Sequence, residues 1–173
     1  KPVDLTPLVK LLRMSTETAD TLFVSLDTEL QFIDYYVTVM TSSLGPDFKY
    51  NKNIECDMDT THIMLPSMTL LTFVENAVKH GLSKLPDTME KTLAVNIRRH
   101  DKGVKIEVVD NGSAKKEAQT TNTNIGLKII RQTLMLLNEK NKEKMTFGVG
   151  NIESGHGFMS WLYIPDNFTF TNY

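Results

Sequence analysis

Asn76, Lys79 and His80 fall within five residues of one another in Val74-Glu75-Asn76-Ala77-Val78-Lys79-His80-Gly81. On an α-helix, Thr72, Asn76, Lys79 and His80 recur at i, i+4, i+7 and i+8 and so share one face. A neutral amide oxygen suits a hard cation such as magnesium, and an ammonium suits phosphate, which is the pairing a metal–nucleotide site needs. A plain solvated helix face carries the same residue types. Glu75 lies to one side, as a surface acid or a supporting partner. Asp110 is the second candidate. Alternation of Val104, Ile106, Val108 and Asp110 sends its carboxylate to the apolar side of a strand, where an unpaired charge is costly and something polar should meet it. Asp110-Asn111-Gly112 is also turn composition, and at a strand end the carboxylate can simply open a turn. The third is Asn124-Ile125-Gly126-Leu127, where a polar stretch gives way to a helix. Free amides and the helix dipole there suit phosphate, and Gly126 lets the backbone come close, although an ordinary capping turn uses the same residues. Gly155-His156-Gly157 precedes the last apolar run as a loop.

Apolar spacing defines the elements that must hold these residues. Leu5, Leu8, Val9, Leu11 and Leu12 predict the end of a helix over residues 5–15. Leu26, Leu30, Ile33, Val37 and Met40 predict a second, from residue 27 or 28 to about 40 with Asp27 as its cap. Gly45-Pro46 breaks the chain, and a short strand is expected over residues 48–56. Pro66 fits a helix first turn, Leu70, Val74, Ala77 and Val78 give that helix its stripe, and Gly81 ends it. Residues 93–98 and 104–109 alternate as a hairpin around His100-Asp101-Lys102-Gly103. Residues 113–124 hold no large apolar side chain and are expected to form a mobile loop. Leu127, Ile130, Leu134 and Leu137 predict a last helix, and residues 145–149 and 158–164 two closing strands.

Composition bounds the possibilities. The 173 residues carry 19 Lys plus Arg against 21 Asp plus Glu, a net charge of −2, with 40% hydrophobic residues. That suits one globular domain with a short appendage and argues against a nucleic-acid-coating protein. A lone cysteine, Cys56, excludes an internal disulfide, and no apolar run approaches the roughly 20 residues that cross a bilayer. A reducing, cytoplasmic setting is expected. The chain starts Lys1-Pro2-Val3 without Met, as a piece of something longer.

An Asn-bearing helix, a strand ending in Asp-x-Gly, a polar loop, a Gly-Leu helix start and a Gly-x-Gly hairpin, in this order, resemble the N, G1, G2 and G3 boxes of the GHKL ATP-binding superfamily of gyrase, Hsp90, MutL and the histidine kinases. Leu71-Thr72-Phe73-Val74-Glu75-Asn76-Ala77-Val78-Lys79-His80-Gly81 is similar to the signature of LytS-type sensor histidine kinases, as are Leu12-Arg13-Met14-Ser15 and Leu26-Asp27-Thr28-Glu29-Leu30. The resemblance implies an α+β, two-layer α/β sandwich of the Bergerat (GHKL) type, a mixed sheet covered on one face by helices, binding ATP and Mg2+. It implies residues 41–173 as the ATP-binding catalytic domain and residues 1–40 as the remnant of dimerisation and histidine-transfer helices. It makes Asn76 the metal ligand and Lys79 the phosphate contact, the two catalytic candidates, with His80 beside ribose or adenine. Asp110 accepts the adenine amino group, Gly112 admits the base, residues 113–124 form the ATP lid, and Ile125, Gly126 and Leu127 hold phosphates at the helix start.

Departures from the family pattern are equally specific. Thr72 stands where hydrolysing members carry a Glu, so phosphotransfer is expected rather than hydrolysis. Ala114, Asn124 and Phe158 replace the usual Gly, Gly and Thr of the G1, G2 and G3 boxes. His62, His80, His100 and His156 all lie outside a phosphoacceptor context, so no autophosphorylation of this chain alone is expected. The implied function is transfer of the ATP γ-phosphoryl group to a His elsewhere in a homodimeric kinase, and then to a response regulator. The implied location is the cytoplasmic part of a membrane-anchored receptor, with the membrane reached only through other segments and no nucleic-acid partner. A degenerate, non-catalytic nucleotide-binding signalling module and a GHKL ATPase are the alternatives.

Overall fold

A computed structural model describes residues 4–113, 124–153 and 155–170. Most of the lid stretch, residues 114–123 with Ala114, lies outside the described residues. In chain order the elements are α1 (Thr6–Glu17), β1 (Phe23–Ser25), α2 (Leu26–Leu44), β2 (Phe48–Ile54), β3 (Met64–Pro66), α3 (Thr69–Asn76), β4 (Lys91–His100), β5 (Gly103–Asp110), α4 (Ile125–Glu139), β6 (Thr146–Asn151) and β7 (Phe158–Pro165). Beyond Asn76 the chain continues through a π-helical turn, Ala77–Gly81, and a 3-10 turn, Leu82–Lys84.

The main sheet runs β2-β4-β5-β7-β6, with β2 parallel to β4 and every other neighbour antiparallel. It is the mixed sheet of an α+β fold. Alternation gives each central strand one buried face: Leu93, Val95 and Ile97 on β4, Val104, Ile106 and Val108 on β5, Leu162 and Ile164 on β7. Against that face pack Leu26, Leu30, Ile33 and Val37 of α2, Leu70, Phe73 and Val74 of α3, and Leu127, Ile130, Leu134 and Leu137 of α4, all in one core. Helix α1 buries no residue, and Leu5, Val9 and Leu12 are exposed. Among the described residues no helix is long and apolar enough to cross a membrane.

Two expected helix starts are corrected. Helix α2 is capped by Ser25, whose Oγ accepts from Thr28 N at 3.1 Å, while Asp27 sits in the first turn. Pro66 does not open a helix. It ends β3, which pairs with β1 through Phe23↔Pro66, Val24↔Leu65 and Ser25↔Met64. Helix α3 therefore begins at Thr69, after Met68 turns through a left-handed φ of 68°.

Candidate functional site

Asp110 ends β5 on the buried face, in register between Leu93 of β4 and Phe158 of β7, and is 2% exposed. Its Oδ1 accepts from Gly112 N at 2.9 Å. The carboxylate thus does open a turn, and that bond fixes its rotamer; a carboxylate has acceptor sites for further donors on both oxygens. The chain leaves the strand through Asn111, whose Oδ1 takes the Thr92 N–H and whose Nδ2 donates to Glu90 O, both at 2.8 Å. Opposite stands the π-turn. A Cβ on Gly81 would lie 2.5 Å from Asp110 Oδ1, and one on Gly112 would lie 2.4 Å from Gly81 Cα. Two bare backbones thus meet at the buried carboxylate, a contact that any side chain would break.

Helix α3 aims the second half of the site. Phe73 is fully buried and stacks on Phe147 of β6 at a centroid distance of 6.4 Å, which fixes the rotation of the helix against the sheet. Asn76 is half-buried at its last turn. Gly81 follows Asn76 by five positions, across the π-helical turn Ala77–Gly81. The π-turn widens the helix between them, as such turns do at functional sites, so Lys79 and His80 do not keep the α-helical stripe. Lys79 is exposed and His80 half-buried. Burial raises the Glu75 carboxyl above its ordinary value, against the pull of Lys79.

At the start of α4, Asn124 caps the helix, its Oδ1 accepting from Leu127 N at 3.1 Å. Its Nδ2 donates to Asn76 Oδ1 at 2.8 Å. Leu127 is buried, Ile125 is 76% exposed, and a Cβ on Gly126 would lie 2.6 Å from the Thr72 methyl. Thr72 gives its hydroxyl proton to Met68 O at 2.7 Å. A cleft of about 470 Å³ adjoins this end, lined in part by Ser15, Thr18, Met68, Thr72, Gly126 and Ile129.

The structure therefore gathers Asp110, Gly112 and Gly81 at one end of the π-turn and Asn76, Asn124, Gly126 and Leu127 at the other. Two partners escaped the sequence reading. One is the Asn124–Asn76 bond. The other is Glu29 of α2, fully buried, whose carboxylate accepts from the backbone N–H groups of Met68, Leu70 (3.1 Å) and Leu71 (3.3 Å) and so caps α3 from another element. Burial pushes Glu29 up to about 7 against those three bonds. The Leu26-Asp27-Thr28-Glu29-Leu30 motif was the only signal for it.

No protein-family model matches the chain. It is 28% identical over 112 residues to the sensor histidine kinase BtsS of Escherichia coli and 31% identical over 113 residues to the sensor protein LytS of Oceanobacillus iheyensis. Each match takes in 65% of this chain and 19% of the relative, so the chain spans about a fifth of the length of the curated relatives it matches. The histidine kinase domain of the Erythrobacter litoralis EL346 blue-light activated histidine kinase superposes with a TM-score of 0.59 at 16% identity, covering 95% of this chain and 76% of that one. At that identity the likeness shows the fold.

Proposed function

The chain is homologous to sensor histidine kinases of the LytS type and has the fold of histidine kinase catalytic domains; from that premise we propose that it is the ATP-binding catalytic domain of such a kinase. It moves the γ-phosphoryl group of ATP to a histidine on a segment outside residues 1–173. The observation that carries this reading is Asp110, a carboxylate buried at a strand end where Gly81 and Gly112 let the backbone of the π-turn come into contact beside it. Its fixed rotamer lets it accept a hydrogen bond from the exocyclic amine of a purine.

The donors at the other end fit a magnesium–phosphate group. A magnesium ion that arrives with a nucleotide is held mostly by phosphate oxygens and water and would need one protein oxygen here. Asn76 Oδ1 is that oxygen in this reading. Asn76 would hold a magnesium ion there, and the ion would supply charge neutralisation to the phosphate oxygens. Lys79 adds a point charge, and the start of α4 at Ile125, Gly126 and Leu127 orients the phosphates. Thr72 supplies no base for water, because a neutral hydroxyl is not basic near neutral pH, and this favours transfer over hydrolysis. The cleft beside Thr72 and Gly126 leaves an approach for the acceptor imidazole. In the intact protein the kinase is a homodimer, anchored to the membrane through other segments, and a response regulator takes the phosphoryl group from the histidine.

A second reading, a nucleotide-binding signalling module without transfer, draws support from Asn124 and Phe158 in place of the family's usual residues. The two part in one assay. Given γ-radiolabelled ATP and the acceptor-helix region of its own kinase in trans, the domain should place acid-labile label on histidine. Nucleotide binding without label would support the signalling module, and free phosphate without label would support an ATPase.

A further inference from the structure

We propose that Asn124 is an internal competitor for the metal–phosphate position, so that its side chain must be displaced before nucleotide can be held. The inference rests on the proposed nucleotide site and adds to it a residue that sets its affinity. One amide group makes two bonds of opposite polarity. Its N–H donates to Asn76 Oδ1 at 2.8 Å, presenting partial positive charge to the oxygen assigned to the cation. Its carbonyl accepts from Leu127 N at 3.1 Å, presenting partial negative charge to the helix N–H assigned to a phosphate oxygen. Asn124 therefore stands between the same two groups, with the same polarity, as a magnesium–phosphate pair.

The cap also fixes which way the amide points. With Oδ1 held by the Leu127 N–H, only Nδ2 can face Asn76, so the mimicry is set by the fold and not by a free choice of amide orientation. The bond joins residues 48 apart in sequence and ties the end of α3 to the start of α4. Displacement gives up two hydrogen bonds, and the wild-type site is weakened accordingly. The helix end survives the loss, since Gly is itself well tolerated at such a cap.

The test is calorimetric titration of wild type, Asn124→Gly and Asn124→Ser with ATP, in excess magnesium and again in EDTA, with melting temperatures to confirm folding. Asn124→Gly should bind Mg-ATP about tenfold more tightly than wild type. Ser can still cap Leu127 N but is too short to reach Asn76, so Asn124→Ser should recover part of the gain, and only with magnesium present. If only Asn124→Gly binds measurably, the proposal is supported. Equal affinities in folded wild type and Asn124→Gly would overturn it, as would weaker binding by the variant, which would make Asn124 a support for Asn76. If neither protein binds Mg-ATP, both this inference and the nucleotide site fail.

Discussion

Gly81 and Gly112 are demanded by contact distance. A Cβ on Gly112 would come within 2.4 Å of Gly81 Cα and 2.6 Å of its carbonyl carbon, and backbone cannot give way as a side chain can. Gly112→Ala should therefore push the end of β5 off the π-turn, costing about 1–3 kcal/mol as overpacking does, and should weaken ATP binding further by moving Asp110. Gly150→Ala is the control, since a Cβ there meets nothing within 4 Å, and it should leave both melting temperature and nucleotide affinity nearly unchanged. Equal effects of the two substitutions, measured by thermal unfolding and titration, would deny the close approach any role. Asp110 itself was readable from strand parity, because one buried face per strand leaves a carboxylate in the series Val104, Ile106, Val108 no other side to occupy. The pairing of Asn124 with Asn76 was not, since nothing local links two polar residues 48 positions apart.

Helix α3 is set at its start by a side chain from α2. Glu29 answers three of the N-terminal N–H groups that an α-helix leaves unpaired, in a place where water does not reach them. Glu29→Ala should cost about 2–3 kcal/mol in urea unfolding and loosen the helix that carries Asn76. The same carboxyl makes stability depend on pH. Its ordinary value is 4.5 and burial raises it to about 7 in the folded chain, so between those values the folded state holds a proton that the unfolded state has released. The stability that proton adds is fully present below pH 4.5 and is lost as pH rises to about 7. The unfolding free energy of wild type minus that of Glu29→Gln should fall across this window and level off above it. A difference that rises with pH would mean that the three N–H bonds outweigh burial. The start of α3 is not legible in the sequence, because Pro66 belongs to a three-residue strand paired with Phe23, and so short a strand leaves no periodicity to detect.

At the scale of the whole molecule, α1 and α2 differ in kind. Helix α2 buries Leu26, Glu29, Leu30, Phe32, Ile33, Val37 and Leu44, whereas α1 buries nothing. Removing residues 1–18 should preserve a cooperative melt, while removing residues 1–44 should abolish it, and circular dichroism on the two truncations distinguishes these outcomes. The sheet was largely legible because β4, β5 and β7 alternate strictly, and α4 because Leu127, Ile130, Leu134 and Leu137 keep helical spacing. What escaped the sequence were long-range devices: the β1–β3 pairing, the Glu29 cap, and the π-turn that reorients Lys79 and His80 relative to Asn76. The central claim is that a buried carboxylate and an amide-bearing helix form one ATP site, and titration of wild type and Asp110→Asn with Mg-ATP tests it most directly. Wild type should bind, and Asp110→Asn, folded and equally stable, should bind more weakly by about 1–3 kcal/mol through loss of a charge-assisted hydrogen bond to the base. Equal affinities, or no binding by either wild type or Asn124→Gly, would contradict the account.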